Sequence, residues 1–370
     1  MKRYKTIIIV AVVAILLVST LTACNNDEAA PITQDPSVDT NTAVESTPEP
    51  TPEPTPEPTP EPPSESPPLP DFEVVGVNLM MQGINNTLLA AKVESGEIPA
   101  NVTNLNLMVN EISDITPLAG LTELRELVLL INEINDISPL AGLTNLRTLM
   151  LGGNPISDFT PLIDLKNLTT LDLSNTTISD ISLLAELTNL TTLNLMHTPV
   201  SDISLLVGLT NLEDINFALN LFNDITPLVS LPNLIRLGFV GNDLGDWSPI
   251  TELTNLQSLD ISGGNFSDMT FLRNLTNLTN LGLFDLRISD ITPLAGLTSL
   301  TQLNLTRNQI SDISVIAGMT ELVNLHLSEN QISDISPLTG LKALELVSLE
   351  DNRITDWSPV AHVEQVFGRS

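Results

Sequence analysis

Twelve aspartates stand 22 residues apart without a slip: Asp114, Asp136, Asp158, Asp180, Asp202, Asp224, Asp246, Asp268, Asp290, Asp312, Asp334 and Asp356. Periodic carboxylates have two chemistries open to them. They can build a calcium ladder, or each can accept hydrogen bonds from backbone N–H groups nearby. Calcium sites draw several oxygen ligands from each repeat and lean on glycine-rich turns. Here the phrase "ISDI" brackets one carboxylate with isoleucines and holds no glycine. Copies about 5 Å apart repel by roughly 0.8 kcal/mol even at the dielectric of water, which a capping hydrogen bond offsets. The column is therefore expected to be structural, with no metal. Catalysis needs a base, a nucleophile or metal ligands within a few ångströms of one another. Of three histidines, His197 and His326 lie about six repeats apart, or roughly 28 Å at a strand spacing near 4.8 Å, and His362 sits on the last turn. No triad emerges. The chain is expected not to be an enzyme, with no cofactor and no small-molecule substrate.

The elements that hold these aspartates follow from the phrase around them, as in "LTNLRTLMLGGNPISDFTPLID". An L-x-L pair (Leu105 and Leu107, Leu149 and Leu151, Leu303 and Leu305) alternates at period two, the pattern of a half-buried strand. An asparagine column follows it: Asn110, Asn132, Asn154, Asn220, Asn242, Asn308, Asn330 and Asn352. There the chain turns inward, and side-chain amides can satisfy buried backbone groups of neighbouring turns. Thr176, Thr198, Gly264 and Leu286 break that column. After each aspartate come an apolar residue, Ser or Thr, and often Pro, which predicts an N-cap and a brief 3-10 turn. Trp247 and Trp357 occupy the position after the aspartate and are expected in the core. A period of 22 with this leucine spacing is that of a leucine-rich-repeat solenoid of the α/β horseshoe type. Its parallel sheet lines the concave face and short 3-10 or irregular turns line the convex one. About twelve repeats and a partial last one fill residues 102–370. Residues 71–101, where the repeat is absent, are expected to form an N-terminal helical cap, with short helical turns around Leu79 to Val93.

The net charge of −31 leaves no basic surface for phosphate, so nucleic acid is excluded as a partner. A single cysteine rules out a disulfide framework and a cysteine-based zinc site. Residues 1–23 open with Lys2, Arg3 and Lys5, followed by an apolar run from Ile7 to Val18, too short for a membrane span and fitting a secretory signal. Residues 24–70 have no periodic apolar face and include "TPEPTPEPTPEPTPEPP" from Thr47 to Pro63. Alternating proline blocks helix and sheet, and predicts a disordered, extended spacer.

Outward strand positions are where a partner would touch. Most are small and polar, as at Thr148, Thr170, Thr192, Asn194 and Asn304. The first three repeats differ. Met108, Val109, Val128, Leu130, Ile131 and Met150 should be neighbours on or beside the concave face, and folding gives no reason for them there. A contiguous apolar patch marks an interaction site, and methionine adapts to irregular partners. A protein partner is expected on these six residues, unless the cap folds over them.

Two resemblances complete the picture. Leu21-Thr22-Ala23-Cys24 resembles the lipobox of bacterial lipoproteins, which implies cleavage before Cys24 and a diacylglycerol on its sulfur. The repeats "LTNLRTLMLGGNPISDFTPLID" and "LTSLTQLNLTRNQISDISVIAG", with the cap before them, resemble internalin-like leucine-rich repeat proteins of Gram-positive bacteria over roughly residues 72 to 370. That resemblance implies a concave face that binds a protein receptor. No immunoglobulin-like domain or wall-sorting tail is expected after the repeats, the anchor being at the N-terminus. The expected protein is lipid-anchored on the extracellular face of the bacterial membrane and binds a protein partner. The alternatives are a self-assembling structural component of the envelope and a cell-wall glycan binder.

Overall fold

The structure, a computed structural model, describes residues 74–369 apart from residues 243, 265 and 267. The expected leader, Cys24 and the proline-rich spacer lie outside the described residues. Among the described residues, fourteen strands of three residues each form one parallel sheet, and their order in the sheet is their order in the chain. The first four are β1 (Gly76–Asn78), β2 (Asn104–Asn106), β3 (Glu126–Val128) and β4 (Thr148–Met150). The L-x-L alternation fixes their register. Leu105 pairs with Leu127, and Leu127 with Leu149, so one leucine of every turn points into a continuous core. A slip of one residue would turn every one of them to solvent.

Twelve 3-10 turns of the described residues form the opposite wall. The aspartates start them. Asp114 Oδ1 accepts from the N–H of Thr116 at 2.9 Å, Asp224 from Thr226 at 2.9 Å and Asp312 from Ser314 at 2.8 Å. The N-cap itself is the next residue, Ile115 in the first repeat, so each aspartate stands one place earlier than an N-cap would. The bond spans two residues, the Asx-turn geometry that an aspartate side chain makes with its own backbone.

The asparagine column joins the turns as expected. Asn132 Nδ2 donates to Leu129 O and to Leu107 O of the preceding repeat, both at 3.0 Å, while its Oδ1 accepts from Ile112 N at 3.2 Å. Thr176 Oγ1 bonds within its own repeat, to Leu173 O, while Thr198 Oγ1 donates to Leu195 O and also reaches Asn220 Oδ1 of the next repeat at 3.3 Å. A second ladder was not anticipated. The asparagines of the L-x-N-L phrase, from Asn145 to Asn277, each donate to a backbone carbonyl 23 residues earlier, as Asn167 does to Thr144 O at 2.8 Å.

The N-terminal segment differs from the expectation of helical turns alone. It begins with a strand, β1, which pairs with β2 and prolongs the sheet. Its helix, α1 (Asn86–Glu94), starts later than Leu79, where Asn85 Oδ1 accepts from Leu88 N at 3.0 Å. Leu89 anchors α1 in the core, and the helix packs on the 3-10 turn Thr116–Leu118. Trp247 is buried as expected, at 6% exposure, within an aromatic cluster that includes Phe239 and Phe271. Trp357 is only partly buried against the core.

Candidate partner-binding face

Strand residues alternate, so Glu126 and Val128 share the outward face of β3 while Leu127 points to the core. The register then stacks the repeats in columns. Asn106, Val128 and Met150 are sheet neighbours, followed by Asp172. Met108 and Leu130 form the next column just beyond the strands, ahead of Gly152, and Val109 and Ile131 the one after it, ahead of Gly153. The six apolar residues named from the sequence are thus brought together.

Their exposure is uneven. Val128 and Leu130 are buried, at 8% and 5%, although neither belongs to the leucine core. Stacking against like neighbours in a packed column leaves a central side chain little contact with water. That corrects the expectation that both are open. Met108, Val109, Ile131 and Met150 are partly exposed. Two more exposed apolar residues lie one turn earlier: Met80 at 41% and Met81 at 65%. Met81 N donates to Met108 O at 3.0 Å, so the N-terminal segment runs beside the first repeat and lengthens the patch. Met80 and Met81 are not legible from the 22-residue count, which breaks at the segment that carries them. They lie 28 residues before Met108 and Val109. The signal available was the Asn78-Leu79 and Asn106-Leu107 match at the same offset.

The backbone adds a second observation. The column of Val109 and Ile131 is left-handed in nearly every turn, and glycine (Gly153, Gly241, Gly263) or asparagine (Asn175) fills several of its places. Val109 and Ile131 hold φ of 55° and 57°. A β-branched residue there is an outlier, and strain of this kind costs about 1–3 kcal/mol.

Elsewhere the strand face is polar. Asp172 is buried, and burial pushes its carboxyl above the usual range, while Ser174 N and Oγ and Asn194 Nδ2 donate to it and pull the other way. Exposed turn aspartates such as Asp180, Asp246 and Asp334 are held low by the N–H and hydroxyl of the residue two places on, as Asp180 is by Ser182. The histidines meet neighbouring repeats. His197 Nδ1 lies 2.9 Å from Asn175 Oδ1, His326 Nδ1 3.1 Å from Ser348 Oγ, and His362 Nε2 2.8 Å from Leu341 O. Among the described residues no three His, Cys, Asp or Glu side chains converge as a metal site would require. Of the isolated apolar residues further along, Met196 is buried and Phe284 carries Arg307 over its ring at 5.7 Å.

An internalin of Listeria monocytogenes has the same fold, with a TM-score of 0.66 and 34% identity over 79% of this chain and 86% of that one. The chain belongs to the internalin family. The model of the leucine-rich-repeat family (two copies) matches residues 144–186, 166–206, 276–318 and 320–362 of this chain. In fold it is also similar to a leucine-rich repeat protein of Leptospira interrogans, at 23% identity, 74% of both chains and a TM-score of 0.63. The functional domain of InlJ from Listeria monocytogenes is another such likeness, at 19% identity, 78% of this chain, 70% of that one and a TM-score of 0.53. No curated protein matches the chain. Within the family frame, one further surface stands out. The 3-10 wall exposes Ile163, Leu205, Val207 and Val229. Leu205 stands where most repeats have proline, which was the available signal.

Proposed function

We propose that the protein is a lipid-anchored internalin of the cell surface that docks a protein partner on the N-terminal end of its strand face. The patch of Met80, Met81, Met108, Val109, Val128, Leu130, Ile131 and Met150 is the docking site. One observation carries this. Two β-branched residues, Val109 and Ile131, sit in a left-handed column where no other described repeat places a β-branched residue. Folding gains nothing from that choice, and strain retained at a surface marks a site where the side chains themselves are wanted. A few apolar anchors supply most of an interface's energy, and methionine packs on partners of irregular shape. Cys24, after an apolar leader, would hold the protein in the membrane, with the spacer of residues 24–70 carrying the repeats outward.

The test is a photoreactive residue at position 81, with the same residue at position 304 of the strand face as control. Position 81 should cross-link to a discrete protein from a surface or host extract and position 304 should not; equal labelling would refute the site. For the anchor, Cys24→Ala should leave the protein unprocessed or shed, and normal retention in the membrane would refute lipidation. A second reading, self-assembly of an envelope component, draws on the exposed Ile163, Leu205, Val207 and Val229 of the 3-10 wall. Concentration-dependent association abolished by Val207→Lys with Val229→Lys would favour it.

A further inference from the structure

The docking face has a chemistry that narrows its partner, given that the proposed site is the docking site. Between Val74 and Leu130 the chain has six acidic residues (Glu94, Glu97, Glu111, Asp114, Glu123, Glu126) and two basic ones (Lys92, Arg125). Two of these carboxylates, Glu111 and Glu126, border the apolar patch together with Glu133 just beyond. Glu111 and Glu133 are exposed and follow Val109 and Ile131 by two residues each. Glu126 shares the outward face of β3 with Val128 and accepts from Asn104 Nδ2 at 2.7 Å. A methionine-rich apolar strip thus runs between carboxylates on both sides.

We propose that the occupant of this face is a basic amphipathic helix of a protein partner. Its apolar side would lie on Met81, Val109 and Ile131, and its lysines or arginines would meet Glu111, Glu133 and Glu126. The dimensions agree. Three successive turns at about 4.8 Å spacing put Met81 and Ile131 roughly 10 Å apart. Apolar residues at i, i+3 or i+4, and i+7 of a helix span about 10.5 Å at 1.5 Å per residue. Charge disfavours the other occupants. A second copy of this chain brings another −31, and an anionic lipid surface is repelled in the same way.

The experiment titrates the full chain with three short fluorescent helical peptides that share one leucine face and carry Lys, Gln or Glu on the other. The Lys peptide should bind, more weakly as salt rises, and the Glu peptide should not. Met81→Ser with Val109→Asn and Ile131→Asn should weaken the Lys peptide about tenfold or more. Asparagine already occupies this column at Asn175, so the variant should fold, which circular dichroism checks. Glu111→Gln with Glu133→Gln should weaken the Lys peptide and leave the Gln peptide unchanged. Asp312→Asn with Asp334→Asn, at the far end, should change neither. If Lys and Gln peptides bind equally and both need Met81, the docking face stands and the basic partner is overturned. If the Lys peptide binds and ignores the triple substitution, the charge acts elsewhere and the docking face falls with the proposal. No binding by any peptide overturns the basic helix alone, provided that position 81 still cross-links a partner.

Discussion

Substituting Asn154 by alanine should damage the solenoid more than the same change at Asn132, and the reason is two repeats wide. Asn132 and Asn154 each donate to the carbonyl of their own repeat's leucine and to that of the repeat before. Asn132 shares both of its acceptors: Leu107 O is also reached by Asn110 and Leu129 O by Asn154. Removing Asn132 therefore leaves one buried group without a partner, Ile112 N. Asn154 shares only Leu129 O. It alone, among the described residues, donates to Leu151 O, at 2.8 Å, because the next place in the column is Thr176, which bonds within its own repeat. Asn154→Ala leaves two orphans, Leu151 O and Ile134 N. A buried unsatisfied group costs about 1–3 kcal/mol, so Asn132→Ala should cost about 1–3 and Asn154→Ala about 2–6 kcal/mol. Urea unfolding followed by circular dichroism measures both, with hydrogen exchange to locate the loosened repeats. Equal losses, or losses under about 0.5 kcal/mol in either variant, would refute the ladder as the bond between turns.

Three other outcomes are expected. The turn aspartates such as Asp180, Asp246 and Asp334 have folded pKa values below the ordinary one, so their stabilising bonds persist above the unfolded pKa and are lost as pH falls through the folded values. Thermal stability should drop below about pH 4 without needing any added cation, and a large calcium-dependent rise in Tm that Asp290→Ala abolishes would overturn the structural role. Asp172 runs the other way, since its raised pKa adds stability on the acid side that is lost as pH rises through the folded value. A pH titration of Asp172→Asn by differential scanning calorimetry should lack that component; an unchanged pH profile would contradict its burial. Peroxide should oxidise Met81 and Met80 before Met269 and Met319, which are 2% and 0% exposed, and peptide mass spectrometry showing the reverse order would contradict the placement of the N-terminal segment.

What the sequence made legible is what repeats. Leucines, asparagines and aspartates that recur every 22 residues announce the strand, the ladder and the turn, because a solenoid applies the same packing demand in each turn. The aspartate's place one residue ahead of the N-cap is a matter of backbone angles that composition does not carry. β1 was missed for a different reason. α1 lengthens its turn, so the leucine pattern of Val77 and Leu79 is out of count with the rest. The patch was found from single outward residues that broke the polar pattern, such as Met108 and Leu130. Its extent was not found, since burial of Val128 and Leu130 and exposure of Met81 depend on which columns stand side by side. The strain at Val109 and Ile131 appears only once φ is known.

The central claim is that the N-terminal end of the strand face docks a protein, and the direct measurement is the affinity of the protein cross-linked at position 81. Leu130 is too deeply packed for a charge to be a clean probe, so the substitutions belong on the exposed rim: Met81→Lys with Met108→Lys, beside Thr170→Glu as a control on the polar part of the same face. Isothermal titration of that partner should show the methionine double variant about a hundredfold weaker or silent, with Thr170→Glu within about threefold of wild type. A methionine variant that folds and binds as wild type does, or a Thr170→Glu variant that loses binding as completely, would contradict the account.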